Sequence, residues 1–296
     1  MALSDNLKGS FLMMGSMTAF TVNDAFLKWL GQSLPFFQIL FIRSLAVVVC
    51  LALAAVVLKQ TRIAREDRWP ILIRTFAEIG AAYSFISALF HLPLANVTAI
   101  IQALPLTVTL SAAFLFKEAV GWRRLTAIGV GMIGVLFIIQ PGTDGFSVYS
   151  FYALAAVACV TVRDLAARRL SSGASTLVVA LAAAFGVLIF SGIGGLFTEW
   201  KPMDRGHIAG LTGSVFFIIG GYIFSVSAMR VGEIGVVAQF RYIALVVALI
   251  LGFLVFGDWP DNLTLLGAAI VVATGLYTLW REHGVQRANA KGLRPR

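Results

Sequence analysis

A bundle of ten membrane-spanning helices, built as two five-helix halves inserted in opposite directions, is the all-α fold this sequence predicts. Three observations lead there. The chain is 59% hydrophobic and only 12% charged, with a mean hydropathy of +0.90, so it has too few charges to clothe a soluble domain of 296 residues. Apolar runs long enough to cross a hydrocarbon core of ~30 Å as helix recur from end to end. Finally, one phrase occurs twice, TVNDAFLKWL at 21–30 and TVRDLAARRL at 161–170, an offset of 140 residues.

The runs follow one another with short polar breaks. Residues 9–30 stop at GQSL; the run is too long for the apolar part of a signal peptide and no small-residue cleavage site follows, so it is expected to remain as the first span. Residues 35–58 end at KQTRIAREDR, residues 70–91 at LPL, residues 95–116 at KEAVGWR, and residues 124–140 at PGTDGF. In the second half, 147–167 gives way to RRLSSGA, 175–198 to EWKPMDRG, 207–229 to RVGE, 234–256 to GDWPDN, and 263–281 to the tail. None of these runs alternates in polarity, which separates them from the strands of a transmembrane barrel. The two copies of the phrase end spans one and six. Five spans lie between equivalent points, and because five is odd the second half must enter the membrane upside down. The register persists: Phe116, Lys117 and Glu118 close span four as Phe256, Gly257 and Asp258 close span nine, and Ser87–Ala88 matches Ser227–Ala228.

Orientation follows from the basic residues. With the N-terminus cytoplasmic, one side receives Lys8; Lys59, Arg62, Arg65 and Arg68; Lys117, Arg123 and Arg124; Arg168, Arg169 and Arg230; and Arg281, Arg287, Lys291, Arg294 and Arg296. The other side holds only Lys28, Lys201 and Arg205. That asymmetry is the positive-inside pattern, so both termini are expected in the cytoplasm. The net charge of +9 therefore reports orientation and not a nucleic-acid partner. All six tryptophans fall at expected span ends, where an amphipathic ring prefers the headgroup layer. Cys50 and Cys159 lie inside spans, and no disulfide is expected.

The segments NDAFLKWLG (23–31), FIRSL (41–45), FLFKE (114–118), GVLFIIQPG (134–142) and FRYIALVVALILGFLVFGDWPD (240–261) resemble the drug/metabolite transporter superfamily of the EamA type along essentially the whole chain. The resemblance implies two five-helix repeats, here 8–141 and 147–282, followed by a basic cytoplasmic tail at 283–296. It also implies a central cavity formed mainly by helices one, three, four, six, eight and nine. The implied cargo is a small polar or aromatic metabolite: an amino acid, a vitamin such as riboflavin, or a nucleotide-like compound such as S-adenosylmethionine.

An ionisable group at the centre of a span costs roughly 2.5–3.5 kcal/mol on insertion scales and is a functional candidate by default. Seven such groups occur: Asp24, Arg43, Arg74, Glu78, Arg163, Asp164 and Arg241. Thr21, Asp24 and Lys28 share one helical stripe, and Thr161, Asp164 and Arg168 repeat it. Arg43 stands at the depth of Asp24 and Arg241 at that of Asp164, while Glu78 follows Arg74 by four residues and pairs with it along one helix. Arg43, Arg74 and Arg163 are expected as structural ion-pair partners. Asp24, Glu78 and Asp164 are expected at the substrate, where a coupling proton is a further partner they permit. Arg241, with Gln239 and Tyr242 beside it, is expected to meet an anionic part of the substrate. Span four carries Thr98, Gln102, Pro105 and Thr109 on one stripe; Pro105 should kink the helix and free a carbonyl, and Gln102 is a substrate candidate. Tyr83 and Tyr222 offer rings for stacking, although packing explains such tyrosines equally well.

Other signals fall away. GVGMIG (129–134) spells a dinucleotide-binding pattern but follows no strand and sits in an apolar span, so close helix packing explains it. No phosphate-binding loop occurs to hydrolyse ATP, and no cofactor is expected. His91, His207 and His283 have no ligand-spaced partners, so no metal site is expected. The alternative function is a membrane-embedded lipid-modifying enzyme, which would gather acid, base or nucleophile at one interface. Here the ionisable groups spread over several helices, which suits a translocation pathway and not catalysis. Membrane lipid and a small-molecule substrate are the expected partners.

Overall fold

The computed structural model describes residues 5–58, 65–116, 121–142, 146–171 and 173–290. Lys117 and Glu118 of the FLFKE segment, Lys59, Arg62 and the last six residues of the tail lie outside them. The described residues are helical, with no strand among them: α1 (Asp5–Leu30), α2 (Phe36–Val57), α3 (Arg68–His91), α4 (Leu94–Ile101), α5 (Leu104–Phe116), α6 (Trp122–Ile139), α7 (Tyr149–Ala167), α8 (Thr176–Leu196), α9 (Arg205–Val231), α10 (Ile234–Val237), α11 (Ile243–Leu251) and α12 (Asn262–Ala290). Among the described residues, seven segments are long and apolar enough to cross a membrane: α2, α3, α4 with α5, α7, α8, α9, and Ala238–Phe256. Shorter apolar stretches occupy Leu125–Ile139 and Asn262–Thr278, and α1 runs for 26 residues. This is a multi-pass membrane protein.

The chain divides into two compact units. The first comprises Met1–Val22, Pro93–Ser147 and Phe217–Arg296; the second comprises Asn23–Leu92 and Val148–Phe216. Both α1 and α9 contribute one part to each.

In the first unit, α6 and α12 run antiparallel with their backbones nearly touching. A Cβ added at Gly134 would strike the Gly267 carbonyl and Ile270, and one added at Gly267 would strike the Gly134 carbonyl and Ile138. Hydrocarbon supplies no hydrophobic drive between helices, so small residues that permit such approach supply the attraction instead. Gly131 faces Leu106 and Thr274, whereas Gly129 meets nothing within 4 Å. Two of the three glycines of GVGMIG therefore pack, and the third points away. Past Ile139 the chain turns through Gln140, at φ 52°, whose amide donates to Asp261 of the loop before α12. Asp261 in turn accepts from the Thr264 backbone N–H at 2.7 Å, capping α12. Those bonds, that from Gln140 foremost, hold the Asp261 carboxyl below the usual carboxylate range. Elsewhere in this unit Met13, Met17, Ala228, Val237 and Ala244 form a buried cluster, and Ser16 Oγ donates to the Gly221 carbonyl at 2.8 Å.

The second unit repeats the device. α2 and α8 pack antiparallel, with Gly194 under the Phe37 ring, Gly192 beside Phe41, and Ser44 Oγ 3.3 Å from Ser191 Oγ. Gln38, buried, completes the pairing by bonding the Lys201 peptide on both sides, donating to its carbonyl at 2.8 Å and accepting from its N–H at 2.9 Å. α3 and α7 also run antiparallel: His91 stacks on Tyr149 with ring centres 3.6 Å apart, Tyr83 lies by Tyr152, and Gly80 faces Cys159. Lys28 Nζ caps α3 by donating to the Leu92 carbonyl at 2.6 Å. Cys50 and Cys159 are free thiols.

Gly267→Ala should therefore lower the melting temperature in detergent, because overpacking by one methyl costs roughly 1–3 kcal/mol. Gly129→Ala, with open space around it, should leave it unchanged or raise it, by up to about 1 kcal/mol of helix propensity.

Candidate functional site

The clearest irregularity in the first unit lies where two helices stop and restart. Pro105 has no N–H to give the Ile101 carbonyl, and its ring crowds that oxygen, so α4 ends at Ile101 and α5 begins at Leu104. Between them Ala103 N–H turns back to the Ile100 carbonyl at 3.0 Å, a tighter turn than the α-helical one. The expected kink is a break. Near residue 241, 140 positions further on, α10 gives way to a 3-10 turn at Ala238–Tyr242 before α11 begins. Gln102 joins the two breaks: its Nε2 donates to the Arg241 carbonyl at 3.2 Å. Tyr242 is buried and its hydroxyl, against Gly275 of α12, has no hydrogen-bond partner among the described residues. Arg241 is exposed and Gln239 half-buried on the same turn. Thr98 spends its hydroxyl on the Leu94 carbonyl at 2.8 Å.

The Gln102–Arg241 bond thus brings the turn that carries Gln239, Arg241 and Tyr242 up to the interruption before Pro105, a polar spot in an otherwise apolar pair of helices. Tyr222, in the same unit, packs edge-on against Phe20 with centroids 5.2 Å apart.

The charged candidates gather in the second unit. Arg163 Nε donates to Asp164 Oδ1 at 2.9 Å and its Nη1 lies 3.5 Å from Glu78 Oε2. The expected Arg74–Glu78 pair along α3 is not formed; α7, antiparallel to α3, sets Arg163 opposite Glu78 instead, and Arg74 Nε is buried without a partner among the described residues. Asp164 and Arg241 fall in different units, and the hydrogen bond of Asp164 comes from Arg163. Asp24 takes a hydrogen bond from Asn23 Nδ2 at 2.9 Å and is acted on electrostatically by Arg43. Tyr83 sits in a ring cluster with Phe36, Tyr152 and Phe190, at 5.5, 6.1 and 6.0 Å.

These contacts explain the repeated phrase. Thr21 and Thr161 each return a hydroxyl to the carbonyl four residues back, at 2.9 and 2.7 Å. In each copy the residue before the aspartate holds that aspartate and also reaches another helix. Asn23 accepts from Ser214 of α9 at 2.7 Å, as Arg163 meets Glu78 of α3. Asn23 was not among the sequence candidates because the phrases were matched by identity, and this position differs between them.

Residues 7–140 and 148–280 each match the EamA-like transporter family. The chain belongs to that family. EamA proteins are transporters, so the alternative of a lipid-modifying enzyme falls. Among relatives, an S-adenosylmethionine uptake transporter of Rickettsia prowazekii is 22% identical over 286 residues, 95% of each chain. A riboflavin transporter of Vibrio cholerae is 25% identical over 298 residues, covering 95% of this chain and 96% of its own. A pseudopaline exporter of Pseudomonas aeruginosa is 27% identical over 287 residues, covering 90% and 95%. One crystal structure of another protein superposes with a TM-score of 0.59 at 18% identity, covering 93% of this EamA chain and 98% of that one, and so shares its fold.

Arg163→Ala should destabilise this EamA protein by about 2 kcal/mol, between the cost of losing an exposed pair and a fully buried one, because two carboxylates lose their partner. Adding Glu78→Gln should recover part of that loss in thermal melts, since one uncompensated charge is removed.

Proposed function

We propose that this protein is a secondary transporter that moves a small polar or aromatic metabolite across the bacterial inner membrane by alternating access. In this reading ten helices form two inverted repeats, 8–141 and 147–282, and both termini with the 283–296 tail are cytoplasmic. The observation that carries it is the pair of helix breaks, 102–103 and 238–242, which meet in the 140-residue register at Gln102 and Tyr242 and are joined by the Gln102–Arg241 bond. Interrupted helices in corresponding places of two halves are where transporters of inverted-repeat design hold their cargo, because unwound carbonyls and helix ends are polar groups that only a cavity tolerates. The antiparallel packing of α6 on α12 and of α2 on α8, partners one repeat apart, supports the inversion.

Arg241 is the residue assigned to an anionic group of the cargo, its guanidinium presenting a fixed fork of donors. Gln102, Gln239 and Tyr242 orient the remainder. Asp24, Glu78, Asp164, Tyr83 and Tyr222 are further polar and aromatic side chains assigned to the cargo, with Arg163 pairing to Glu78 and Asp164 and Arg43 acting on Asp24. S-adenosylmethionine and riboflavin, the cargoes named for two relatives, each join a planar heteroaromatic ring to polar substituents, which suits that mixture.

Purified protein should be melted with S-adenosylmethionine, riboflavin, amino acids and nucleosides in turn. A true ligand at a hundred times its Kd adds about 2.7 kcal/mol to stability, and the same compound should then enter liposomes containing the protein. Arg241→Lys should cut that uptake sharply at unchanged protein level, whereas full uptake by Arg241→Ala would exclude the assigned role.

A further inference from the structure

We propose that the end of the second unit where α3 begins and α7 finishes is a binding site for the phosphodiester headgroup of an anionic phospholipid. The site is assembled by one buried carboxylate. Asp67 is only 2% exposed, and its two oxygens accept from the Ser171 backbone N–H and from Ser171 Oγ, each at 2.8 Å. This tie fastens the turn Arg65–Asp67 to the link that follows α7. Arg65 and Arg68 flank one end of it, and Arg168 and Arg169 stand two or three residues from the other; all four are exposed. With successive Cα atoms ~3.8 Å apart, the four lie within about 12 Å of the tie along the chain. Glu66 is exposed beside them, and against it and Asp67 the four arginines leave the cluster a positive excess.

A further observation selects a lipid. Trp69, Leu72, Ile73 and Phe76 are 74%, 47%, 46% and 71% exposed and form one i, i+3, i+4, i+7 stripe that leads away from the arginines along α3. Guanidinium forks at the headgroup and an apolar track for an acyl chain suit an amphiphile, and Trp69 at the junction sets the level of the headgroup layer. The inference holds whatever the cargo is, and its failure would leave the transport reading untouched.

Native mass spectrometry of the full chain with phosphatidylglycerol, phosphatidylcholine or inorganic phosphate tests it. Phosphatidylglycerol should remain bound where the other two do not. Removing two charges in the surface variant Arg68→Gln/Arg168→Gln should weaken retention about fivefold for each arginine. Asp67→Ala separates a built site from diffuse attraction: it makes the protein more positive, which diffuse attraction would turn into tighter binding, yet it undoes the tie and should weaken binding. Ser171→Ala, a milder change that keeps the backbone bond, should shift binding the same way and serves if Asp67→Ala does not fold. Equal retention of phosphatidylcholine, equal retention of inorganic phosphate, or unchanged or tighter phosphatidylglycerol binding in the tie variants would overturn the proposal.

Discussion

At Gly134 and Gly267 each glycine turns its carbonyl toward the place where the other's side chain would be, and the rest of the first unit depends on that contact. Reciprocity of this kind, in which one surface meets its own counterpart, is how two copies meet across a two-fold axis. Here the two copies are segments of one chain. Once α6 and α12 are pressed together, Gln140 can reach Asp261 at the end of the pair, and Leu106 of α5 is held over Gly131. The second unit obeys the same rule with larger neighbours. There glycines of α8 receive the phenyl rings of α2, and Ser44 and Ser191 meet in the middle.

Tight antiparallel pairing leaves the irregular backbone near Gln102 and Arg241 as the place the proposed reading assigns to a ligand. A helix in hydrocarbon cannot give up hydrogen bonds without another partner. The breaks near Gln102 and Arg241 are each other's partner in part, through one amide-to-carbonyl bond that a polar ligand is able to replace. In the second unit the same economy is visible in the charges, where one guanidinium serves both Glu78 and Asp164, and one asparagine serves both Asp24 and Ser214.

Much of this was legible in the sequence, for identifiable reasons. The apolar runs and their polar breaks located the helices, because hydrocarbon imposes a length. Pro105 announced its break through a missing N–H, but the break at AQFRY carries no proline and so gave no local signal. The i, i+4 rule on α3 suggested Arg74 for Glu78; it sees only one helix, and the partner came from α7. GVGMIG was legible as a packing pattern, yet only the neighbouring helix determines that Gly129 is the member left over. That α1 and α9 each serve two units depends on contacts between distant segments, for which no local pattern exists.

The central claim is that repeat-equivalent points of the two halves face opposite sides of the membrane. Leu58, just after α2, and Thr198, just after α8, are such points, 140 residues apart. With Cys50 and Cys159 replaced by alanine, a single cysteine at each in turn should be treated in intact cells with a membrane-impermeant thiol reagent. The account predicts that the cysteine at 198 labels in intact cells and the cysteine at 58 only after the membrane is opened. Equal labelling of both in intact cells, or of neither, would contradict it.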